Sequence, residues 1–173
     1  RDVLTRIMYG GRATLTIGVG VVAIAFVVGV FFGMLAGFAG GWTDNVIMRI
    51  VDAILAFPAL VLAIALAAAF GPSLQNAMLA VAITLAPLFA RVARSQALSI
   101  SVKPYVEAAI SLGLPTHRIL TRYVLVNGLG PLLVQSTLAL GSAILQTASL
   151  GFLGLGAQPP LSEWGADVSS NLQ

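Results

Sequence analysis

Few side chains in this sequence of 173 residues could carry out chemistry on their own. His117 is the single histidine and there is no cysteine, so a metal ion at His117 would lack the further ligands that it needs. Gly141-Ser142 could hold a nucleophilic serine, but such a serine needs a histidine base within hydrogen-bond reach, and His117 lies in a different segment. Small residues for helix packing explain the pair better. No Gly-x-x-x-x-Gly-Lys-Ser/Thr loop for phosphate binding is present, so the sequence predicts neither an enzyme nor a bound cofactor.

One carboxylate lies inside an apolar segment. Asp52 follows Arg49 by three residues, in the opening turns of a predicted helix. A carboxylate within a membrane is a functional candidate by default. The spacing to Arg49 and the position near the helix end favour a structural ion pair or an interfacial anchor instead.

The composition indicates which surroundings this chain needs. Hydrophobic residues make up 58% of the sequence and charged residues only 9%, whereas soluble domains carry about 25% charged residues. The outer surface must therefore face lipid. Nine Lys and Arg residues, scattered between apolar segments, form no continuous basic stripe, which excludes a nucleic-acid partner. Glycines 29, 33 and 37 make two successive small-x-x-x-small steps, a pattern of helix contacts in membranes.

Four segments are apolar enough to cross a bilayer, which takes about 20 residues of helix. The predicted spans lie at about 13–39, 46–70, 75–91 and 129–152, and Gly71-Pro72-Ser73 separates the second from the third. The sequence therefore predicts an all-α fold, a polytopic transmembrane helix bundle.

The distribution of positive charges predicts the orientation of these spans. Six cations lie near one face of the membrane. Five are in or beside the loop between the third and fourth spans: Arg91, Arg94, Lys103, Arg118 and Arg122. The sixth, Arg49, lies at the start of the second span. Three lie near the other face: Arg1, Arg6 and Arg12. We therefore expect the loop at about 94–127 to be cytoplasmic. Both chain ends, including a polar tail at 153–173, should be extracytoplasmic.

The predicted cytoplasmic loop has the pattern of a helix, a glycine corner and a second helix. Pro104 suits the first position of a helix, where no N–H is needed, and Glu107 suits the positive end of its dipole. Gly113 is the residue type that most readily takes a left-handed C-cap. Thr116 is predicted to cap the second helix, which continues through Arg122.

Helical spacing places four residues on one face of the first loop helix: Tyr105, Ala108, Ala109 and Leu112. The two adjacent alanines would make that face small and allow another backbone to approach closely. On spacing alone, the loop could lie on lipid headgroups or dock onto a protein.

Glu107-Ala108-Ala109, followed after three residues by Gly113, resembles the EAA loop in the inner-membrane permeases of binding-protein-dependent ABC importers. Further segments resemble the dipeptide, oligopeptide and nickel branch, and most of all its second permease subunit. These segments are residues 1–6, Met48-Arg49-Ile50-Val51-Asp52, Ala56-Phe57-Pro58, residues 152–160 and Glu163-Trp164-Gly165. The family has a proline after the loop where this chain has Val126, so the bend that a proline supplies is not predicted.

The resemblance implies a permease subunit of an ATP-driven importer in the bacterial or archaeal cytoplasmic (inner) membrane. Its partners would be cytoplasmic ATPase subunits, a second permease subunit, an extracytoplasmic substrate-binding protein and the lipid bilayer. Peptides or a similar small solute, such as a nickel complex, would cross the membrane. The residues implied to contact the ATPase are Tyr105, Glu107, Ala108, Ala109, Leu112, Gly113, Leu114, His117 and Arg118.

Members of this branch usually have six spans, so the resemblance also implies a chain truncated at both ends. The tail would then contact the binding protein or form part of an external gate, or else connect to a missing helix. The first alternative function is a secondary transporter or channel fragment that acts without ATPase partners. Such proteins usually place ionisable groups in mid-span, where this sequence has almost none. A membrane-embedded enzyme would need a nucleophile and a base in reach of each other, and none is evident.

Overall fold

The computed structural model describes residues 3–156, 164, 165 and 168, with side chains from residue 8 onward. This part of the chain is helical, as the sequence predicts. Its helices are Val3–Ala39 (α1), Gly41–Leu55 (α2), Ala59–Phe70 (α3), Leu74–Ser101 (α4), Pro104–Ser111 (α5), Thr116–Ile119 (α6) and Val126–Phe152 (α7). A π-helical turn, Leu120–Leu125, joins α6 to α7.

Three helical runs in the described residues are long and apolar enough to cross a membrane: Met8–Ala39, Leu74–Ser101 and Thr116–Phe152. With 37 residues, α1 rises about 55 Å, well beyond what the predicted span at 13–39 requires. The helix α4 continues to Ser101, past the predicted end of the third span at residue 91. The helix α7 begins slightly before the predicted residue 129 and ends at the predicted residue 152.

The predicted second span at 46–70 is not one straight helix. Its residues belong to α2 and α3, which meet at a bend of 93°. Pro58 precedes α3 in an extended conformation, with φ −57° and ψ 125°. Proline donates no backbone N–H and disfavours helix in the residue before it, so the helix ends at Leu55. The 12 residues of α3 rise only about 18 Å, less than a bilayer's hydrocarbon thickness of about 30 Å.

The break predicted at Gly71-Pro72-Ser73 is present. Gly71 has φ +92°, which a glycine adopts without strain. The Asn76 side chain donates to the carbonyls of Phe70 at 2.8 Å and Gly71 at 3.0 Å. The Asn76 N–H in turn donates to the Ser73 hydroxyl at 3.1 Å. These bonds satisfy carbonyl groups at the end of α3 and an N–H at the start of α4.

The helices form two compact units. The first comprises Arg1–Ala25, Phe57–Leu85 and Leu138–Gln173. Its described core contains Val21, Ala63, Val81 and Ala143, and the buried Thr84 hydroxyl lies 3.3 Å from the side-chain oxygen of Gln146.

The second unit comprises Phe26–Ala56 and Ala86–Thr137. The Phe89 side chain is fully buried there and packs edge-on against Phe26, with 5.7 Å between the ring centres. This unit contains α2, the predicted cytoplasmic loop and the parts of α1, α4 and α7 nearest to that loop.

The three glycines of α1 that have helix-packing spacing face α4 within the second unit. A Cβ atom added at Gly29 would lie 2.6 Å from the Phe89 Cβ. One at Gly33 would lie 2.8 Å from the Ala90 Cα, and one at Gly37 would lie 2.7 Å from the Arg94 carbonyl oxygen. Because α4 presents backbone at these points, only glycine permits so close an approach. The predicted small-residue contact is therefore a contact between α1 and α4 of the same chain.

Gly141-Ser142 in α7 does not make such a contact. Both residues are exposed, and a Cβ atom at Gly141 would have no described atom within 4 Å. The helix-packing interpretation of this pair is therefore not supported within the described chain.

Candidate functional site

The first helix of the loop is α5, and the local sequence explains where it begins. Lys103 is extended, with φ −80° and ψ 143°, and its carbonyl accepts the N–H groups of Val106 at 2.9 Å and Glu107 at 3.1 Å. Pro104 is the first helical residue, where its missing N–H costs no hydrogen bond. Glu107 lies in the first turn, near the positive end of the helix dipole. The positions of Pro104 and Glu107 agree with the sequence-based prediction.

The corner at the end of α5 is a Schellman motif centred on Gly113. Gly113 has φ +72°. Its N–H donates to the Ile110 carbonyl at 2.9 Å, and the Leu114 N–H donates to the Ala109 carbonyl at 3.2 Å. A Cβ atom at Gly113 would meet no described atom within 4 Å. The backbone angle alone, and not a lack of space, therefore requires glycine.

The two alanines of the EAA pattern differ in burial. Ala109 is 4% exposed and Val106 is fully buried, so both belong to the chain's own core. Ala108 is exposed, as are Tyr105 and Leu112. The predicted four-residue face is thus divided, and Ala109 supports the loop from within instead of offering surface to a partner. The apolar pair Val106 and Ala109, three residues apart, is the sequence signal for this inner face.

The exposed surface of α5 is more apolar than the pattern indicated. Leu112 is 79% exposed and Ile110 is 50% exposed. Glu107, in the same helix, is also exposed. Ile110 was not among the predicted contact residues. Its side chain is apolar and exposed, like that of Leu112, which gives it an equal claim to that role.

The second helix of the loop, α6, begins differently from the prediction. Pro115 and not Thr116 precedes the helix, with φ −67° and ψ 142°, and no side-chain cap is formed there among the described residues. The Pro115 carbonyl accepts the Arg118 N–H at 2.9 Å. His117 and Arg118 are exposed, while Ile119 is buried. The cap prediction for Thr116 is wrong because Pro115 already holds the extended conformation that the cap position needs.

From α6 the chain passes into α7 without interruption. The π-helical turn Leu120–Leu125 occupies the positions just before Val126, and Val124 within it is buried. A π-turn accommodates one extra residue per turn and often occurs at functional sites. At Val126, where the family pattern has a proline, this chain is continuously helical.

Two ion pairs lie on α4 before it enters the loop. The Arg94 Nε donates to Asp44 Oδ1 at 2.5 Å and its Nη2 donates to Asp44 Oδ2 at 2.6 Å. The Arg91 Nη2 donates to Asp52 Oδ1 at 2.7 Å. The sequence favoured an ion pair of Asp52 with Arg49, three residues back in the same helix, or an interfacial anchor. The structure pairs it across helices with Arg91 instead.

The predicted tail at 153–173 is described only in part. Gly154 ends α7 with φ +77°, and the Leu155 N–H donates to the Leu150 carbonyl at 2.9 Å. The Trp164 N–H donates to the Thr14 hydroxyl at 3.4 Å. Residues 157–163 lie outside the described part, as do Arg1 and Asp2, so the rest of these motifs stays a sequence-based observation.

These features define a class of protein: an all-helical membrane protein with an exposed helix–glycine–helix loop between two long apolar helices. Residues 29–172 match the family described as the binding-protein-dependent transport system inner membrane component. The chain belongs to this family, which places it in the inner membrane.

Relatives in that family transport peptides according to their names. The dipeptide transport system permease protein DppC of Alkalihalophilus pseudofirmus is 47% identical over 173 residues, which cover 100% of this chain and 57% of the relative. The probable D,D-dipeptide transport system permease protein DdpC of Escherichia coli is 49% identical over 98% of this chain and 57% of the relative. The glutathione transport system permease protein GsiD of Pectobacterium atrosepticum is 42% identical over 96% of this chain and 55% of the relative. The chain thus spans a little over half the length of these relatives.

Solved structures share the fold. A chain from inward-facing conformations of the MetNI methionine ABC transporter superposes with a TM-score of 0.77 at 21% identity, covering 99% of this chain and 88% of that one. A second crystal form of the same transporter gives a TM-score of 0.78 at 20% identity, over 91% of this chain and 78% of that one. At this level of identity the likeness shows the fold alone.

Proposed function

We propose that this chain forms the membrane pathway of an ATP-driven importer for peptides or similar small solutes, and that the loop couples it to a separate ATPase subunit. The observation that carries the proposal is the exposed loop itself. It presents large apolar side chains on a short helix whose inner face is anchored in the chain's core. An exposed apolar cluster of this kind marks an interaction site.

The coupling surface comprises the exposed loop residues Tyr105, Glu107, Ala108, Ile110, Leu112, His117 and Arg118. Leu112 and Ile110 would fill an apolar groove on a cytoplasmic ATPase subunit. Around them, Lys103, Arg118 and Arg122 are exposed cations, whereas Glu107 is the only acidic residue between positions 94 and 127. The surface therefore suits a groove rimmed mainly by acidic groups, with a basic or polar partner for Glu107.

The proposed partners follow from family membership. They are two ATPase subunits on the cytoplasmic side, a second permease subunit, and an extracytoplasmic binding protein that delivers the solute. The names of the relatives support a peptide-like solute, since they specify dipeptides, D,D-dipeptides and glutathione. A nickel complex finds no support in those names. The loop would move when the ATPase dimer closes on ATP and would thereby shift the helices attached to it.

A secondary transporter or channel is less well supported. Such proteins keep ionisable groups in mid-span for ion coupling. In this chain Asp44 and Asp52 each accept hydrogen bonds from an arginine of α4, close to the predicted cytoplasmic end. Neither carboxylate is therefore placed as a proton carrier.

Leu112→Asp in the complete transporter, purified through a tag on the permease, tests the proposal. Burying a leucine contributes about 1.5–3 kcal/mol, so the amount of co-purifying ATPase should fall about tenfold or more. Ser111→Asp is the matched control, because it adds the same charge at the exposed neighbouring position without removing an apolar side chain. Its effect should be small.

Normal ATPase recovery with Leu112→Asp would contradict the proposed coupling surface. Solute uptake by the unmodified permease, driven by an ion gradient in the absence of any ATPase subunit, would favour the secondary-transporter alternative.

A further inference from the structure

Two acidic residues of α2 are held by two arginines of α4 inside the second unit. We call these contacts, Asp44 with Arg94 and Asp52 with Arg91, the double ion pair. Neither contact is predicted from sequence spacing, because the partners lie 50 and 39 residues apart. Both arginines belong to the stretch of α4 that leads directly into the loop.

The geometry of the double ion pair fixes the direction of α2 as well as its distance. Asp44 and Asp52 are eight residues apart and so lie about 12 Å apart along the helix. A single contact would leave α2 free to pivot about it. Two contacts on one side of α2, roughly two turns apart, resist that rotation.

The two contacts differ in strength. Both side-chain oxygens of Asp44 accept hydrogen bonds from Arg94, and the Asp44 side chain is only 16% exposed. Such a two-point contact between a guanidinium and a carboxylate is strong and geometrically specific. Asp52 and Arg91 make one contact at 2.7 Å, and their side chains are 57% and 56% exposed. Because these side chains are more exposed than those of Asp44 and Arg94, this pair is the weaker one.

The same stretch of α4 is also fixed against α1. The Arg94 backbone contacts Gly37, and the Ala90 backbone contacts Gly33, so closely that no side chain fits between the helices. At these positions α4 therefore holds α1 through its backbone and α2 through its arginine side chains. A displacement of α4 along or across its axis must carry both neighbours with it.

We propose that Asp44 and Asp52 are positioning residues that make α2 follow α4 when the loop is displaced. The inference rests on the proposed function, since the displacement comes from an ATPase bound to the coupling surface. An ion pair suits this task because a two-point contact between a guanidinium and a carboxylate is geometrically specific. Asp44 carries most of the effect and Asp52 the smaller part.

Neutralising variants in the complete transporter, reconstituted in vesicles, test the inference. Asp44→Asn should lower the amount of solute transported per ATP hydrolysed by at least about fivefold, the loss expected from one charge-assisted contact. Asp52→Asn should lower it by about twofold or less, as for an exposed pair. Arg49→Gln is the matched control: Arg49 is an exposed cation of the same helix outside the double ion pair, and its removal should leave the ratio unchanged.

Two further measurements separate positioning from mere stability. The charge-reversed pair Asp44→Arg with Arg94→Asp should regain at least half of the lost ratio. If that pair does not accumulate in the membrane, the neutral pair Asp44→Asn with Arg94→Gln decides, and it should be no worse than Asp44→Asn alone. These 173 residues contain no cysteine, and Asp44→Cys with Arg94→Cys can be joined by a bifunctional thiol reagent. Transport should persist in the joined protein.

Each failure has a distinct meaning. A normal transport-to-ATP ratio in Asp44→Asn would overturn the inference, as would loss of transport upon joining positions 44 and 94. The amount of co-purifying ATPase should stay normal in every variant of the double ion pair. If Leu112→Asp also leaves ATPase recovery normal, the proposed function itself fails, and that result does not depend on the α2 variants.

Discussion

Replacing Gly113 isolates the contribution of one backbone angle to the coupling surface. Its φ of +72° lies in the left-handed region, where an L-residue costs about 1–2 kcal/mol. A Cβ atom there would meet no described atom within 4 Å, so no steric clash adds to this cost. Gly113→Ala should therefore shift the equilibrium toward an opened corner by a factor of about 5–30. Gly113→Val should cost more because of its β-branch, and Gly113→Asn less because asparagine tolerates this conformation.

Hydrogen–deuterium exchange at the corner measures this shift directly. The N–H groups of residues 113 and 114 are bonded to the carbonyls of Ile110 and Ala109, so opening the corner exposes both. Their exchange in Gly113→Ala should accelerate about 5–30-fold. Gly130→Ala is the control, since Gly130 lies within α7 and a Cβ atom there also meets no described atom within 4 Å. Equal exchange rates in Gly113→Ala and the unmodified protein would refute the reasoning.

The aspartate variant at this corner separates conformation from charge. Asparagine and aspartate both tolerate the left-handed region. Gly113→Asp, however, adds a negative charge to a surface that carries three exposed cations and one carboxylate. Transport should therefore fall further in Gly113→Asp than in Gly113→Asn. Equal transport in the two variants would assign the whole effect to the backbone.

Two further substitutions test the helix contact and the charge of the loop. Gly33→Leu should lower the Tm of the purified protein by about 2–12 °C, because its Cβ would lie 2.8 Å from the Ala90 Cα and overpacking costs about 1–3 kcal/mol. Gly141→Leu, at an exposed site on α7, is its control and should leave the Tm nearly unchanged. Glu107→Lys should abolish most transport at normal abundance in the membrane, with Glu107→Gln intermediate, as uptake assays and membrane immunoblots would show. Full uptake with Glu107→Lys would exclude a partner for that carboxylate.

The long helices could be predicted because their signals are local and repeated. Residues 13–39 contain no charge, and a chain in lipid has no other way to satisfy so many backbone groups than a helix. The roles of Pro104 and Gly113 could also be predicted, because proline is favoured at the first position of a helix and glycine just after its end. Local conformation of this kind requires no knowledge of any distant contact.

Most features that sequence reasoning missed depend on contacts between distant segments. The partner of Asp52 lies 39 residues away, and the nearby Arg49 offered a local alternative. The break before Pro58 was visible as a proline, but proline is tolerated in membrane helices, as Pro87 and Pro131 within α4 and α7 illustrate. The burial of Ala109 results from the packing of α5 on the chain's own core. Helical spacing alone does not predict which face of α5 packs inward.

The two helices of the loop, α5 and α6, are attached to the membrane helices in different ways. This difference bears on how a displacement of the coupling surface would be transmitted. The helix α5 is separated from α4 by the non-helical residues Val102 and Lys103, where the chain changes direction between the two helices. The helix α6 instead continues from Thr116 through the π-turn into α7 without a break. A continuous helix transmits displacement along its axis, and π-turns within helices are frequent at functional sites. A displaced loop would therefore move α7 directly. Its effect on α4 would pass through this break in the helix, and along α4 the double ion pair and the glycine contacts with α1 hold the neighbouring helices in register.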